Sequence, residues 1–338
     1  MTALSVLDLA PVTTATSGAE ALKNTIDLAR HVDRLGYIRY WLAEHHNIAS
    51  IASSAPDIMI GQVAAATSHI RVGSGGVMLA NHSPLQLVER FKTLEALFPD
   101  RIDLGLGRAP GTDPLTSYAL RRPVEDIPPD QDFLQRLQEV MLFGNGGFPA
   151  DHPFRHIKVS PSGTPMPPLW LLGSSDYSAL LSAQIGVGFA FAHHFATHDA
   201  AEAVQSYRSN FRPSPALAAP YAILGVSVVC ADTEAEAERL ARTGDLSFLR
   251  IVKNERAPLA SPEEAAAYPY TEAERERIRA HRSKMFVGTP DIVREGLLAL
   301  VQATGADELM AVTSLYDHAA RKRSYTLLAE TFGLAQVP

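Results

Sequence analysis

A single (β/α)8 barrel with an inserted region late in the chain is the fold that the sequence predicts, and three observations predict it. Short apolar runs alternate with longer segments of helical period, the pattern of parallel strands joined by crossover helices. Eight such runs can be counted, at residues 5–9, 39–43, 71–79, 102–106, 169–172, 189–192, 222–230 and 308–312. The composition, 46% hydrophobic and 20% charged, suits a large core under a soluble surface. Barrels of this kind run past about 250 residues as one unit, so residues 1–338 can form one domain.

Each element has its own signal. The first strand reads Ser5-Val6-Leu7-Asp8-Leu9, and helices are expected at 19–35, 56–67 and 84–98. The last of these places Leu87, Phe91, Leu94 and Phe98 at i, i+4, i+7 and i+11, one face to pack on the barrel. Ser83 before Pro84 and Thr289 before Pro290 each offer an N-cap hydroxyl followed by proline at the first helical position. Gly73, Gly75 and Gly76 are costly inside the third strand, so either a close backbone approach, such as a flat ring lying there, or a plain bulge calls for them. Two segments interrupt the count: 109–130, rich in Pro, Arg and Asp, and 244–285, charged and poorly periodic in places. Both fall on the strand-exit side, and 244–285 reads either as an insertion forming a mobile lid or as a solvated helical excursion.

Charge and targeting signals exclude several classes. Thirty Lys and Arg against 37 Asp and Glu give a net charge of −7 without a long block of either sign, so a nucleic-acid footprint is not expected. Residues 1–18 contain Asp8 and Pro11 and no basic start before an apolar run, which argues against a secretory signal. No apolar stretch reaches the roughly 20 residues that span a bilayer. Cys230 is the one cysteine, and its neighbours Val228, Val229 and Ala231 suggest a buried structural thiol. A cytoplasmic setting is expected.

In such a barrel the chemistry should gather just after each strand, because those eight loops share one face. After the second strand comes Glu44-His45-His46-Asn47, and after the third Ala80-Asn81-His82-Ser83-Pro84. The fourth is followed by Gly107-Arg108-Ala109-Pro110-Gly111, the fifth by Gly173-Ser174-Ser175-Asp176-Tyr177-Ser178, and the sixth by His193-His194. Glu44, His45 and His46 could be metal ligands, acid–base groups or a hydrogen-bonded end of the core. Adjacent histidines on an extended strand point to opposite sides, so at most one of each pair faces the barrel mouth. Metal hydrolases on barrels usually carry His-x-His on the first strand, which is absent here. Gly173-Ser174-Ser175 opening a helix reads as a phosphate cradle or as an ordinary serine N-cap. Arg108 reads as a phosphate ligand or as the partner of a loop acid such as Asp113.

Taken in order, Trp41-Leu42-Ala43-Glu44-His45-His46, Val72-Gly73-Ser74-Gly75-Gly76-Val77-Met78-Leu79, Asn81-His82-Ser83-Pro84-Leu85, Arg101-Ile102-Asp103-Leu104-Gly105-Leu106-Gly107-Arg108 and Gly173-Ser174-Ser175 resemble the bacterial luciferase-like flavin-dependent monooxygenases. The resemblance runs nearly end to end and implies a (β/α)8 barrel that uses FMN or, in one branch, a deazaflavin coenzyme. It implies that His45, with Glu44 beside it, lies by the flavin and serves proton transfer. The family's non-prolyl cis peptide beneath the isoalloxazine ring maps onto Gly75–Gly76. Phosphate contacts map onto Arg108, Gly173, Ser174, Ser175 and Ser178. Luciferase proper has an acidic residue in place of Ser174 and a tryptophan in place of His193, so aldehyde light emission is not implied and His193 is assigned to a different substrate pocket.

The function so implied is a two-component monooxygenase. FMN is reduced elsewhere by an NAD(P)H-dependent reductase, binds here, and with dioxygen oxidises a small organic substrate. No Gly-x-Gly-x-x-Gly fingerprint opens a strand–helix unit, in keeping with borrowed reducing equivalents. The alternatives are a deazaflavin-dependent hydride-transfer enzyme, a non-catalytic flavin-binding protein, which would tolerate loss of Glu44 and His45, and, as the outsider, a metal hydrolase. Apolar outer faces on the second and third helices suggest a homodimer.

Overall fold

In the computed structural model, which describes residues 2–109, 111–121 and 128–337, the eight apolar runs join into one closed parallel sheet. Its strands are β1 (Ala3–Asp8), β2 (Arg39–Leu42), β3 (Arg71–Ser74), β4 (Val77–Met78), β5 (Ile102–Gly107), β6 (Leu169–Gly173), β7 (Gly188–Phe191), β8 (Ala222–Cys230), β9 (Met285–Gly288) and β10 (Glu308–Val312). Around the ring they run β1, β2, β3 with β4, β5, β6, β7, β8 and β10, and β10 closes it by pairing with β1 through Ala3–Glu308 and Val6–Ala311. A (β/α)8 barrel is thus formed.

Two details depart from the expected strands. The run 71–79 is not continuous: β3 and β4 are its halves, separated by Gly75 and Gly76, whose peptide bond is cis. β9 was not foreseen. Among the described residues it pairs with the far half of β8, Ser227–Cys230, of which β10 reaches only Ser227. Four residues with a half-exposed pattern carry too little apolar periodicity to stand out.

The helices are α1 (Gly18–Arg34), α2 (Pro56–Ala66), α3 (Pro84–Leu97), α4 (Pro114–Leu120), α5 (Pro129–Asn145), α6 (Asp176–Ile185), α7 (Ala200–Asn210), α8 (Glu234–Val252), α9 (Pro262–Ala267), α10 (Glu272–Arg282), α11 (Pro290–Thr304) and α12 (His318–Phe332). On α3, Leu87, Phe91 and Leu94 are buried as their spacing requires, and removing the Phe91 ring from water contributes about 2–3 kcal/mol. Ser83 and Thr289 do stand at the N-caps of α3 and α11 ahead of proline, but neither hydroxyl bonds the helix. Cys230 is buried, and burial pushes its thiol up to about 12. No helix among the described residues is long and apolar enough to cross a membrane.

Charge seals the bottom of the barrel. Asp103 accepts from Arg39 at 2.8 Å, from Arg71 at 2.7 Å and from the Trp41 indole at 3.1 Å, while Glu308 accepts from Arg39 at 3.1 Å and from Tyr221 at 2.9 Å. Above this layer Leu7, Trp41, Trp170, Ile223 and Met310 fill the lumen, with the two indoles edge to face at 5.5 Å. Open space is therefore left only toward the strand C-termini, as in other barrels.

Part of the stretch 109–130, Pro110 and residues 122–127, lies outside the described residues. The stretch 244–285 is largely helical, from the second half of α8 through α10. Asp245 and Arg282 clamp α8 to α10 through a bidentate pair at 2.6 and 2.9 Å, and the Phe248 and His281 rings stack at 4.1 Å. Leu259 is pinned to the loop after β1 by backbone bonds to Val12 and Thr14, each 2.9 Å, which sets α8–α10 over the barrel mouth.

Candidate active site

Two chambers open at that mouth. The inner one, about 200 Å³, is walled by Leu7, Leu9, Gly75, Gly76, Met78, Leu172, Ile223 and Met310 and ends at Arg108, Gly173, Ser174, Ser175 and Ser178. The outer one, about 640 Å³, lies between the mouth and the α8 and α10 helices, and shares Leu9, His194 and Phe195 with the inner chamber.

Glycine is needed where the inner wall is thinnest. A Cβ on Gly76 would sit 2.8 Å from the Gly105 carbonyl oxygen, and one on Gly75 would sit 2.6 Å from Leu7 Cδ1. Close packing between strands, together with the break between β3 and β4, thus accounts for these glycines even before any ligand is considered.

The second-strand motif divides its labour. His45 lines the inner chamber, and its Nδ1 lies 3.4 Å from the Gly111 carbonyl oxygen. Since a carbonyl only accepts, that contact places the proton on Nδ1 and leaves Nε2 as the base. Burial is the main influence on His45 and holds its pKa below the ordinary histidine value. Glu44 is fully buried and lines neither chamber, and it acts on the adjacent His45 through its charge. Its carboxylate instead receives His46 Nε2 and His82 Nε2 at 2.9 Å, the Met78 amide at 2.9 Å and the Asn81 side-chain amide at 3.3 Å. Burial alone would raise its pKa, but the bonds from His82, His46 and Met78 outweigh burial and hold it below the usual carboxylate value. Glu44 thereby ties the end of β2 to β4 and fixes the inner wall. No three His, Cys, Asp or Glu side chains among the described residues are grouped to hold a metal ion.

The far end of the inner chamber is formed by the loop after β6 and the N-terminus of α6. Ser175 is the N-cap of the ten-residue α6, and its hydroxyl does not bond the helix, so the first-turn amides face outward unsatisfied. Gly173 packs against Ser178, whose Oγ would be 2.2 Å from any Cβ there. Arg108 bonds Asp130 at 2.8 Å rather than Asp113, and its guanidinium lies 4.6 Å over the Tyr177 ring. Asp113 is occupied by Asn47, Thr116 and Arg256. The Tyr177 hydroxyl is buried without a hydrogen-bond partner among the described residues, a polar atom in want of a ligand group.

At the sixth-strand exit the pair reads the other way from expectation. His194, not His193, lines both chambers; its Nδ1 donates to the Gly225 carbonyl oxygen at 3.0 Å. Burial pushes His194 down to about 4, so it is an uncharged imidazole at neutral pH. His193 is half-buried beside the chambers and lines neither. His194 and Tyr177 were both within the quoted motifs, and the pair parity signalled one inward histidine without saying which.

The luciferase-like monooxygenase family model matches residues 2–308. A luciferase-like monooxygenase of Escherichia coli K12 is 43% identical over 326 residues, 96% of this chain and 95% of that one. An N-acetyl-S-alkylcysteine monooxygenase of Bacillus subtilis is 32% identical over 332 residues, 98% of each chain. Among solved structures, apo-MsnO8 superposes with a TM-score of 0.89 at 40% identity and covers 100% of both chains. The chain therefore belongs to the luciferase-like monooxygenase family, a class of oxidoreductases that incorporate oxygen.

Proposed function

We propose that the chain is an FMN-dependent monooxygenase that receives reduced FMN from a separate NAD(P)H-dependent reductase and oxidises a small organic substrate held in the outer chamber. The observation that carries this reading is the inner chamber itself: an apolar slot backed by Gly75 and Gly76 that ends at Arg108, Ser174, Ser175 and the free N-terminus of α6. A flat apolar ring system with a phosphorylated tail matches that sequence of environments.

In this reading Arg108, the Ser174 and Ser175 hydroxyls, Ser178 and the α6 amides hold the phosphate. The backbone of Gly75–Gly76 with Met78 and Leu172 would flank the ring. When bound, reduced FMN supplies the electrons with which dioxygen is split between product and water. His45, neutral and with Nε2 free, takes or returns a proton at the chamber wall. His194 and Phe195, shared by both chambers, separate ring from substrate and exclude water. Exposed Ile58 on α2 and Leu97 on α3 support self-association as a homodimer.

The test is an anaerobic titration with reduced FMN and with reduced riboflavin, followed by admission of isotopically labelled dioxygen. Tighter binding of FMN than riboflavin, with label appearing in an oxidised organic product, is expected. Equal binding of the two flavins would sink the phosphate assignment, and selective binding of a deazaflavin coenzyme would replace FMN with that group.

A further inference from the structure

We infer that the outer chamber is built for a substrate with an apolar body and a carboxylate head, and that Lys284 and Arg277 read the charge. This rests on the reading that the inner chamber holds the flavin and the outer one the substrate. The lining of the outer chamber contains Lys284 and Arg277 and not one Asp or Glu, in a chain whose net charge is −7. Such a local excess of cation over a net acidic background selects anions.

Spacing explains how the charge is presented. Arg277, Ala280, His281 and Lys284 recur at i, i+3, i+4 and i+7, so α10 and the turn after it show one face to the chamber. The half-buried Lys284 ammonium donates to the Ala196 carbonyl oxygen, which leaves two of its three donors available. Neither cation has a carboxylate within ion-pair distance among the described residues. On the same helices Arg282 is paired with Asp245 and Lys253 with Glu274, but neither of those cations lines the chamber. His281, held below its ordinary pKa mainly by burial and stacked on Phe248, contributes an uncharged wall and does not compete for the anion. Opposite, Leu9, Phe195, Val229 and Val312 form an apolar surface that a hydrocarbon body would cover. A half-buried cation without a counter-ion is costly, and a carboxylate entering with its apolar body desolvated removes that cost.

Binding of octanoate, octanamide and octanol to the FMN-loaded protein, measured by calorimetry, tests this. Octanoate should bind at least about tenfold more tightly than octanamide, a charged hydrogen-bonded pair against a neutral one. Lys284→Met should remove most of that preference while leaving octanamide affinity within about twofold, and Lys284→Arg should retain it. Should Lys284→Met fail to fold for want of its Ala196 contact, Arg277→Met, which leaves that contact in place, should still halve the preference or more. Equal affinities for acid and amide, no binding of either at millimolar concentration, or a preference that survives in the Lys284→Met Arg277→Met double variant would overturn the inference. FMN titrated on the same samples separates the two readings. Normal FMN binding without acid preference rejects the anion inference alone, and acid preference without FMN binding rejects the flavin reading alone.

Discussion

Replacing Arg108 with alanine should weaken FMN far more than riboflavin. Arg108 is held by Asp130 at 2.8 Å, with its own side chain 38% exposed, and by the Tyr177 face at 4.6 Å. An ion pair so wet is worth about 0–1 kcal/mol and the cation–π contact roughly 0.5–1 kcal/mol, so the unliganded fold should lose no more than about 3 °C in Tm. A phosphate ester at the α6 N-terminus is different, because a charge-assisted bond from guanidinium contributes about 1.5–3 kcal/mol. FMN affinity should then fall roughly 10- to 150-fold in Arg108→Ala, while riboflavin, which lacks the phosphate, changes by less than about threefold. Asp130→Asn should act the other way and tighten FMN about two- to fivefold by removing the competing anion. Flavin fluorescence titrations at fixed salt, run in parallel for the two flavins, give the four affinities needed. Equal losses for FMN and riboflavin would place Arg108 outside the phosphate site and leave its Asp130 pair as a surface ornament of the loop.

Three further outcomes follow from the site. His45→Ala should lower turnover by about 100-fold or more with FMN affinity changed less than about threefold, because Nε2 would act on a proton rather than hold the cofactor; a parallel fall in affinity would contradict that role. Glu44→Ala should cost about 3 kcal/mol in urea unfolding at pH 7, since it strands the Met78 amide and both histidine partners. Because the folded pKa of Glu44 lies below its ordinary 4.5, its contribution is complete above that value and lost as the pH falls below it, so Glu44→Gln should flatten the acid limb of the stability curve. His194 has the opposite chemistry with the same sign. Its neutral form is favoured by the fold, with a pKa near 4 against 6.5, so stability worth about 3 kcal/mol is present above pH 6.5 and drains as pH falls toward 4. An imidazole NMR titration centred near 6.5 would show that His194 is not buried as described.

Much of this site could be read along the chain, for a physical reason. A barrel gathers the residues after its strands on one face, so the positions of Arg108, Gly173, Ser174, Ser175 and His45 relative to the strands already implied one shared cavity. Apolar spacing did the same for the core, as Leu87, Phe91 and Leu94 on α3 illustrate. Side-chain direction just beyond a strand was not legible, because the alternation of faces ends with the strand's hydrogen-bond ladder. There the outcome depends on distant partners: Ser53 holds the His45 amide, Gly225 turns His194 inward, and Met78 with His82 draws Glu44 away from the chamber. Nor could β9 be found locally, since a four-residue strand acquires its identity only by continuing the ladder of β8 past the reach of β10. The sequence by itself determined the barrel and the strand-end chemistry. Only the tertiary structure decided which of two adjacent histidines meets the cavity, that Glu44 is a tie between strands, and that the α10 cations face an acid-free chamber. Those choices are made by contacts between residues far apart in the chain, and no local pattern encodes them.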